Sequence, residues 1–180
     1  GDREENADAF IIACFGDPGL EAAREVTDKP VIGIAQAAIT AARLMAPNFS
    51  VLYVLDKSQT IIENVLKLHN AEKECCSIRS IGLGVLESED KERLLKALTE
   101  KGRACMEEDG AECILLGCAG YVQFAEKMKE DLGILVLDGV VPAVKLCEAM
   151  VEMGVKIPKR TLCDFPGEKT ILGLNDIVKF

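Results

Sequence analysis

Two stretches of this chain carry the same pattern at a fixed spacing. Ala7-Asp8-Ala9-Phe10-Ile11-Ile12-Ala13-Cys14-Phe15-Gly16 aligns without a gap on Ala111-Glu112-Cys113-Ile114-Leu115-Leu116-Gly117-Cys118-Ala119-Gly120, at an offset of 104 positions. Alanine falls on alanine, acid on acid, cysteine on cysteine and glycine on glycine. Each copy reads as a short apolar run that ends at a cysteine and a small-residue turn. A run apolar at successive positions is buried on both faces, as in a parallel sheet. Such a strand delivers its last side chain to the carboxyl edge, where open α/β sheets bind ligands. The register persists at the following strand, where Pro30-Val31-Ile32 falls on Ile134-Leu135-Val136. Matching cysteine, glycine and strand spacing favours a duplicated lobe over chance likeness of apolar strands.

Strand and helix patterns alternate along the chain. Strands are predicted over 8–13, 31–34, 49–55, 78–81, 113–116 and 134–137, and helices over 20–26, 35–44, 61–68, 88–106, 122–131 and 142–153. Leu20, Ala23 and Val26 form the apolar side of the first helix, and Val144, Cys147 and Val151 should face inward on the last. Asp56 to Thr60 supply capping residues, Gly82-Leu83-Gly84 a loop, and Ser88-Glu89-Asp90 the start of the long helix. Residues 1–6 read as the frayed end of a helix. The tail from 154 should wrap irregularly over the surface or a subunit contact. Alternation of this kind predicts an α/β fold: two pseudo-symmetric parallel-sheet lobes with flanking helices and the active site in the cleft between them. Residues 1–46 and 139–180 would form lobe 1, and 47–138 lobe 2. The repeat is lopsided. A strand-helix-strand-helix series from Phe49 precedes the Cys118 copy, whereas six residues precede Ala7. By that comparison the first lobe would be expected to have opening strand and helix units of roughly 60 further residues ahead of Gly1.

Composition narrows the function. With 30 acidic against 21 basic residues the net charge is −9, aromatics make up 4% and tryptophan is absent. A basic stripe with stacking aromatics is missing, which argues against nucleic acid, and an anionic membrane would repel the protein. Nothing resembles a signal peptide, and no apolar run approaches the ~20 residues that cross a bilayer, so a cytoplasmic location is expected. The eight cysteines (14, 75, 76, 105, 113, 118, 147 and 163) include no C-x-x-C pair, and His69 is the only histidine. A structural metal is therefore not expected. Cys105, Cys113, Cys147 and Cys163 read as packing residues, Cys75-Cys76 as an incidental pair, and His69 as a polar helix end.

A thiolate and a thiol on opposite sides of a flat carbon centre form a proton-transfer pair. The thiolate removes a proton from one face, the opposed thiol returns one to the other, and inversion results. The ordinary thiol pKa of ~8.5 keeps both forms accessible near neutrality. A helix N-terminus after each cysteine would stabilise the thiolate, and free N–H groups around Gly16, Ala119 and Gly120 could hold an enolate oxygen. No cofactor is required.

Ile12-Ala13-Cys14-Phe15-Gly16-Asp17-Pro18-Gly19-Leu20, Pro30-Val31-Ile32-Gly33-Ile34-Ala35, Leu116-Gly117-Cys118-Ala119-Gly120 and Asp138-Gly139-Val140 resemble the hydantoin racemase branch of the aspartate/glutamate racemase superfamily. The resemblance runs from Ala7 to about Val155. It implies a cofactor-independent racemase acting on a small molecule, a 5-substituted hydantoin or allantoin, in a homo-oligomer. It assigns Cys14 and Cys118 as the acid/base pair, and the backbone of Phe15, Gly16, Ala119 and Gly120 as pocket lining. Gly19, Asp138 and Gly139 join the substrate-binding candidates. Asp17 does too, although a turn or cap role suits it as well; a cap for the following helix suits Asp138 equally. Family members open with an Asn-Pro-Asn type motif that has no match here. The alternatives are an amino-acid racemase of the aspartate/glutamate type and a binding protein on the same scaffold.

Overall fold

The apolar runs become parallel strands. The computed structural model describes residues 7–82 and 90–167. Strand β1 (Phe10–Ile12) pairs with β2 (Val31–Gly33); β3 (Phe49–Tyr53), β4 (Cys75–Ser80), β5 (Cys113–Leu116) and β6 (Leu135–Asp138) form a second sheet in the order β4-β3-β5-β6. Every pairing is parallel, so each return needs a crossover, usually helical. The helices are α1 (Leu20–Val26), α2 (Ile34–Met45), α3 (Gln59–Leu68), α4 (Lys91–Glu107), α5 (Ala125–Leu132) and α6 (Val140–Glu152). Among the described residues no helix is long and apolar enough to cross a membrane.

Period-two alternation splits the core. On β5, Cys113 and Leu115 enter one apolar cluster with Ile34, Val51 and Tyr53, while Ile114 and Leu116 enter a second with Leu52, Leu98 and Met128. The first cluster also takes Phe15 and Ile32, so it joins the two sheets. Each such side chain contributes roughly 1.5–3 kcal/mol by leaving water.

Helix α2 forms because alanine is the best helix former. It stops at Ala46, which is extended (φ −142°, ψ 148°) because the residue before Pro47 is driven out of the helical region. Ala35, Ala37, Ala38 and Ala42 are at most 1% exposed, and their small size lets α6 pack closely against α2. Asp90 caps α4 by accepting the amides of Glu92 and Arg93, both at 3.1 Å.

Several expectations need correction. Val144 and Val151 are 38% and 39% exposed, and the inner face of α6 is Ala143 and Cys147, one turn apart. On α1 only Leu20 is buried, and Val26 is 59% exposed. Strand β4 starts at Cys75, earlier than the apolar pattern indicates. Its polar residues are satisfied: Ser77 bridges Ser50 at 2.8 Å and Asp109 at 2.6 Å, and Arg79 binds Asp109 through two nitrogens at 2.7 Å. No side-chain cap bond is made at Ser58, where a 3-10 turn (Asp56–Ser58) leads into α3. A 3-10 segment, Ala119–Phe124, precedes α5. The tail is irregular apart from one 3-10 turn at Thr161–Cys163 and is anchored on α1, where Lys159 donates to the carbonyls of Arg24 and Glu25. Residues 1–6, Leu83, Gly84, Ser88, Glu89 and the tail after 167 lie outside the described residues.

The repeat has a structural counterpart. The series β1-α1-β2-α2 recurs as β5-α5-β6-α6. The strand register differs by one residue, since Val31 pairs with Phe10 whereas Leu135 pairs with Cys113.

Candidate active site

Both cysteines stand two residues past the carboxyl end of a strand. Behind Cys118 the ladder continues through Gly117, whose amide donates to Leu52 O at 2.7 Å. A Cβ at Gly117 would lie 2.8 Å from that same oxygen, so no side chain fits where the chain leaves β5. Cys118 itself is half-buried and Cys14 is exposed.

The two turns share one geometry. The carbonyl of Cys14 accepts the amide of Asp17 at 2.9 Å, and that of Cys118 accepts the amide of Tyr121 at 3.1 Å. In each turn the glycine two residues on lies against the thiol: a Cβ at Gly16 would sit 3.9 Å from Cys14 Sγ, and one at Gly120 3.7 Å from Cys118 Sγ. Phe15 is buried at 3% exposure and shares the first apolar cluster with Ala119. Its side chain therefore anchors the Cys14 turn, leaving backbone at the surface.

A helical N-terminus directly follows only one of the cysteines. The 3-10 segment begins at Ala119, so the first amides after Cys118 have no acceptor within their own turn. After Cys14 the chain instead makes Asp17-Pro18-Gly19, with Asp17 at φ 44° and Gly19 at φ 72°, and α1 begins at Leu20. Proline and two left-handed residues cannot continue a helix from Cys14, which corrects the expectation of matched helix ends.

The two sheets abut at their carboxyl ends. A Cβ on Gly139 would lie 2.3 Å from the carbonyl oxygen of Ile34, so glycine is required where β6 turns into α6. Gly139 follows β6 and Ile34 follows β2. Cys14 and Cys118 end the strands next to these, β1 and β5. The thiols thus belong to strand edges one place removed from a common junction.

Two buried carboxylates frame that junction. Asp138 accepts the amides of Val140 at 2.7 Å and Val141 at 2.9 Å, capping α6. Asp17 reaches across to α2 and accepts the amides of Ala35 at 3.1 Å and Gln36 at 2.8 Å. Its carboxylate lies over Gly33, where a Cβ would fall 2.2 Å from its carboxyl carbon. His69 Nε2 is 3.2 Å from Asp17 Oδ2. Sequence reading treats His69 only as a helix end. Its link to Asp17 spans 52 positions, and no local pattern marks it.

Burial pushes the thiols of Cys75 and Cys113 up to about 12, so both are protonated near neutrality. Burial, and secondarily the Cys118 thiol, raises the Tyr121 phenol, so it stays a neutral hydroxyl. Among the described residues no group of three or more His, Cys, Asp or Glu side chains converges as a metal site. A groove of about 460 Å³ beside β2 is lined by Val31, Gln36, Leu146, Met150 and Ile157 and contains neither Cys14 nor Cys118.

Comparison with known proteins supplies the family. The profile of the Asp/Glu/Hydantoin racemase family matches residues 2–147. A hydantoin racemase of Pseudomonas sp. (strain NS671) is 45% identical over 172 residues, covering 95% of this chain and 69% of the relative. A hydantoin racemase of Paenarthrobacter aurescens is 38% identical, with 95% and 73% covered. Among solved structures, allantoin racemase from Klebsiella pneumoniae superposes with a TM-score of 0.90 at 38% identity, covering 95% of this chain and 70% of that one. With a family profile spanning most of its length and relatives at this identity, the chain belongs to the Asp/Glu/Hydantoin racemase family of isomerases.

Proposed function

We propose that the protein inverts the acidic C–H centre of a 5-substituted hydantoin or of allantoin, with Cys14 and Cys118 as opposed acid and base. One thiolate takes the proton from the ring carbon, leaving an enolate whose charge moves onto the adjacent carbonyl oxygen. The other thiol then delivers its proton to the opposite face. Product leaves with inverted configuration and the two sulfurs exchange protonation states, so the reverse reaction needs no reset. The amides of Ala119 and Gly120 are suited to the enolate oxygen, being first-turn donors without an intrahelical acceptor.

The observation that carries this reading is the matched pair of thiol turns, each closed by a carbonyl–amide bond three residues on, beside a junction where the carboxyl ends of β2 and β6 touch. Relatives named hydantoin racemase and allantoin racemase support the substrate class. In this reading Phe15, Gly16, Gly19, Ala119, Gly120 and Gly139 shape the pocket through their backbones, while Asp17 and Asp138 hold the helices that frame it. The division into lobes of 1–46 with 139–180 and 47–138 belongs to the same proposal.

The test is deuterium incorporation at C5 of a single-enantiomer hydantoin in heavy water. Incorporation with loss of optical rotation is expected. Binding without incorporation would sink the racemase reading and leave a binding protein. Undiminished incorporation into both enantiomers by Cys118→Ser would sink the two-thiol assignment, and turnover of aspartate or glutamate alone would move the substrate class.

A further inference from the structure

His69 is the one histidine of the chain, and two-thiol proton transfer gives it no part. We infer that His69 is a positioning residue: acting through Asp17, it ties the Cys14 turn to helix α3 and holds the thiol in its reactive geometry. The consequence for turnover rests on the reading of Cys14 as an acid/base group. The consequence for Cys14 itself rests on geometry alone.

His69 terminates α3, its own amide bonded to Val65 O at 3.1 Å. Its side chain is 12% exposed and faces the Asp17 carboxylate, which is fully buried. Nε2 is assigned the proton because a carboxylate oxygen only accepts. Three donors therefore converge on Asp17: Ala35 N, Gln36 N and His69 Nε2. The main-chain amide of the same aspartate closes the turn on Cys14 O. Asp17 sits at φ 44°, a left-handed conformation that a residue with a Cβ keeps only where its surroundings hold it. The start of α3 touches the same turn, since a Cβ on Gly16 would lie 3.0 Å from Ile61 Cγ2. Helix α3 packs on the four-stranded sheet, and Cys14 follows the two-stranded one. The His69–Asp17 contact thus crosses from one sheet's layer to the other at the thiol turn.

Among the described residues the Cys118 turn has no such tie. At the 104 offset Tyr121 stands where Asp17 does; its amide closes the same turn, but its buried hydroxyl has no hydrogen-bond partner among the described residues. Loss of His69 should therefore act on one thiol and spare the other.

His69→Ala and His69→Gln test this, with Gln able to present an N–H donor in place of the ring. Peptide-resolved iodoacetamide labelling would follow Cys14 and Cys118 in the same sample. In His69→Ala the Cys14 rate should move about threefold or more while Cys118 keeps its wild-type rate, and kcat should fall on the order of tenfold with KM little changed. His69→Gln should recover most of both. Equal rates at Cys14 in all three proteins overturn the inference, and so does a parallel change at both thiols, which would report general loosening. If wild type proves not to racemise hydantoins, the labelling arm still decides the role of His69, so the two readings fail separately. Should His69→Ala not fold, His69→Leu, which fills much of the ring's volume but offers no N–H donor, takes its place with the same expected outcome.

Discussion

The Cys14 and Cys118 turns have matching sequences and the same hydrogen-bond closure, yet they are supported differently. Cys118 follows β5, a strand buried at all four positions and paired on both sides, to β3 and to β6. Cys14 follows β1, a three-residue half-buried strand paired, among the described residues, only with β2. The helices beside them differ in the same sense. Asp138 lies two residues ahead of the first amide it caps, whereas α2 is capped by an aspartate 18 and 19 positions upstream. The place two residues ahead of the first capped amide, held by Asp138 before α6, is held before α2 by Gly33, which has no side chain to cap with. A duplicated unit thus keeps its turn while its support is rebuilt. One thiol is positioned by the sheet, the other by side chains drawn from elsewhere.

The largest expected effect breaks the functional symmetry of the pair. Cys14→Ser and Cys118→Ser should each lower racemisation roughly a thousandfold or more. Each should still exchange deuterium into one enantiomer, and the two variants should retain opposite ones. Retention of the same enantiomer by both would show that the thiols do not address opposite faces. Proton NMR of the C5 signal in heavy water reads this directly.

A smaller effect separates the two aspartates. Asp17→Ala strips three donors of a fully buried acceptor and should cost roughly 2–3 kcal/mol of stability, whereas Asp138→Ala removes a local cap worth about 1 kcal/mol. Urea midpoints at constant m-value measure the difference. Equal losses would mean that the long-range cap does no more than the local one.

The smallest effect concerns thiols outside the pair. With values pushed up to about 12 by burial, Cys75 and Cys113 hold their protons. At pH 8.5 their thiolate fraction is on the order of one part in three thousand. Iodoacetamide at that pH should label the exposed Cys14 and leave Cys113 untouched until denaturant is added. Labelling of native Cys113 at a rate near that of Cys14 would contradict the packing that separates core thiols from turn thiols.

What the sequence alone determined is local. The apolar strands, the two thiol turns and their 104-residue relation were legible because a strand buried on both faces leaves an unbroken apolar run, and glycine and proline mark where it ends. The alanine-rich α2 and its stop before Pro47 follow from propensity and sterics that act over a few residues. Polar strand β4 was only partly legible, because Ser77 and Arg79 are acceptable there only through Asp109, some 30 positions away. The inner face of α6 was misread at Val144 and Val151 because α2 and β1, not the helix's own pattern, select which stripe is covered. Tertiary structure alone decided that Asp17 caps α2 and holds His69. Hydrogen bonds between residues 18, 19 and 52 positions apart exist only once α2 and α3 have packed against the Cys14 turn. A buried carboxylate needs whichever donors the packing brings to it, and no periodicity along the chain encodes which ones those are.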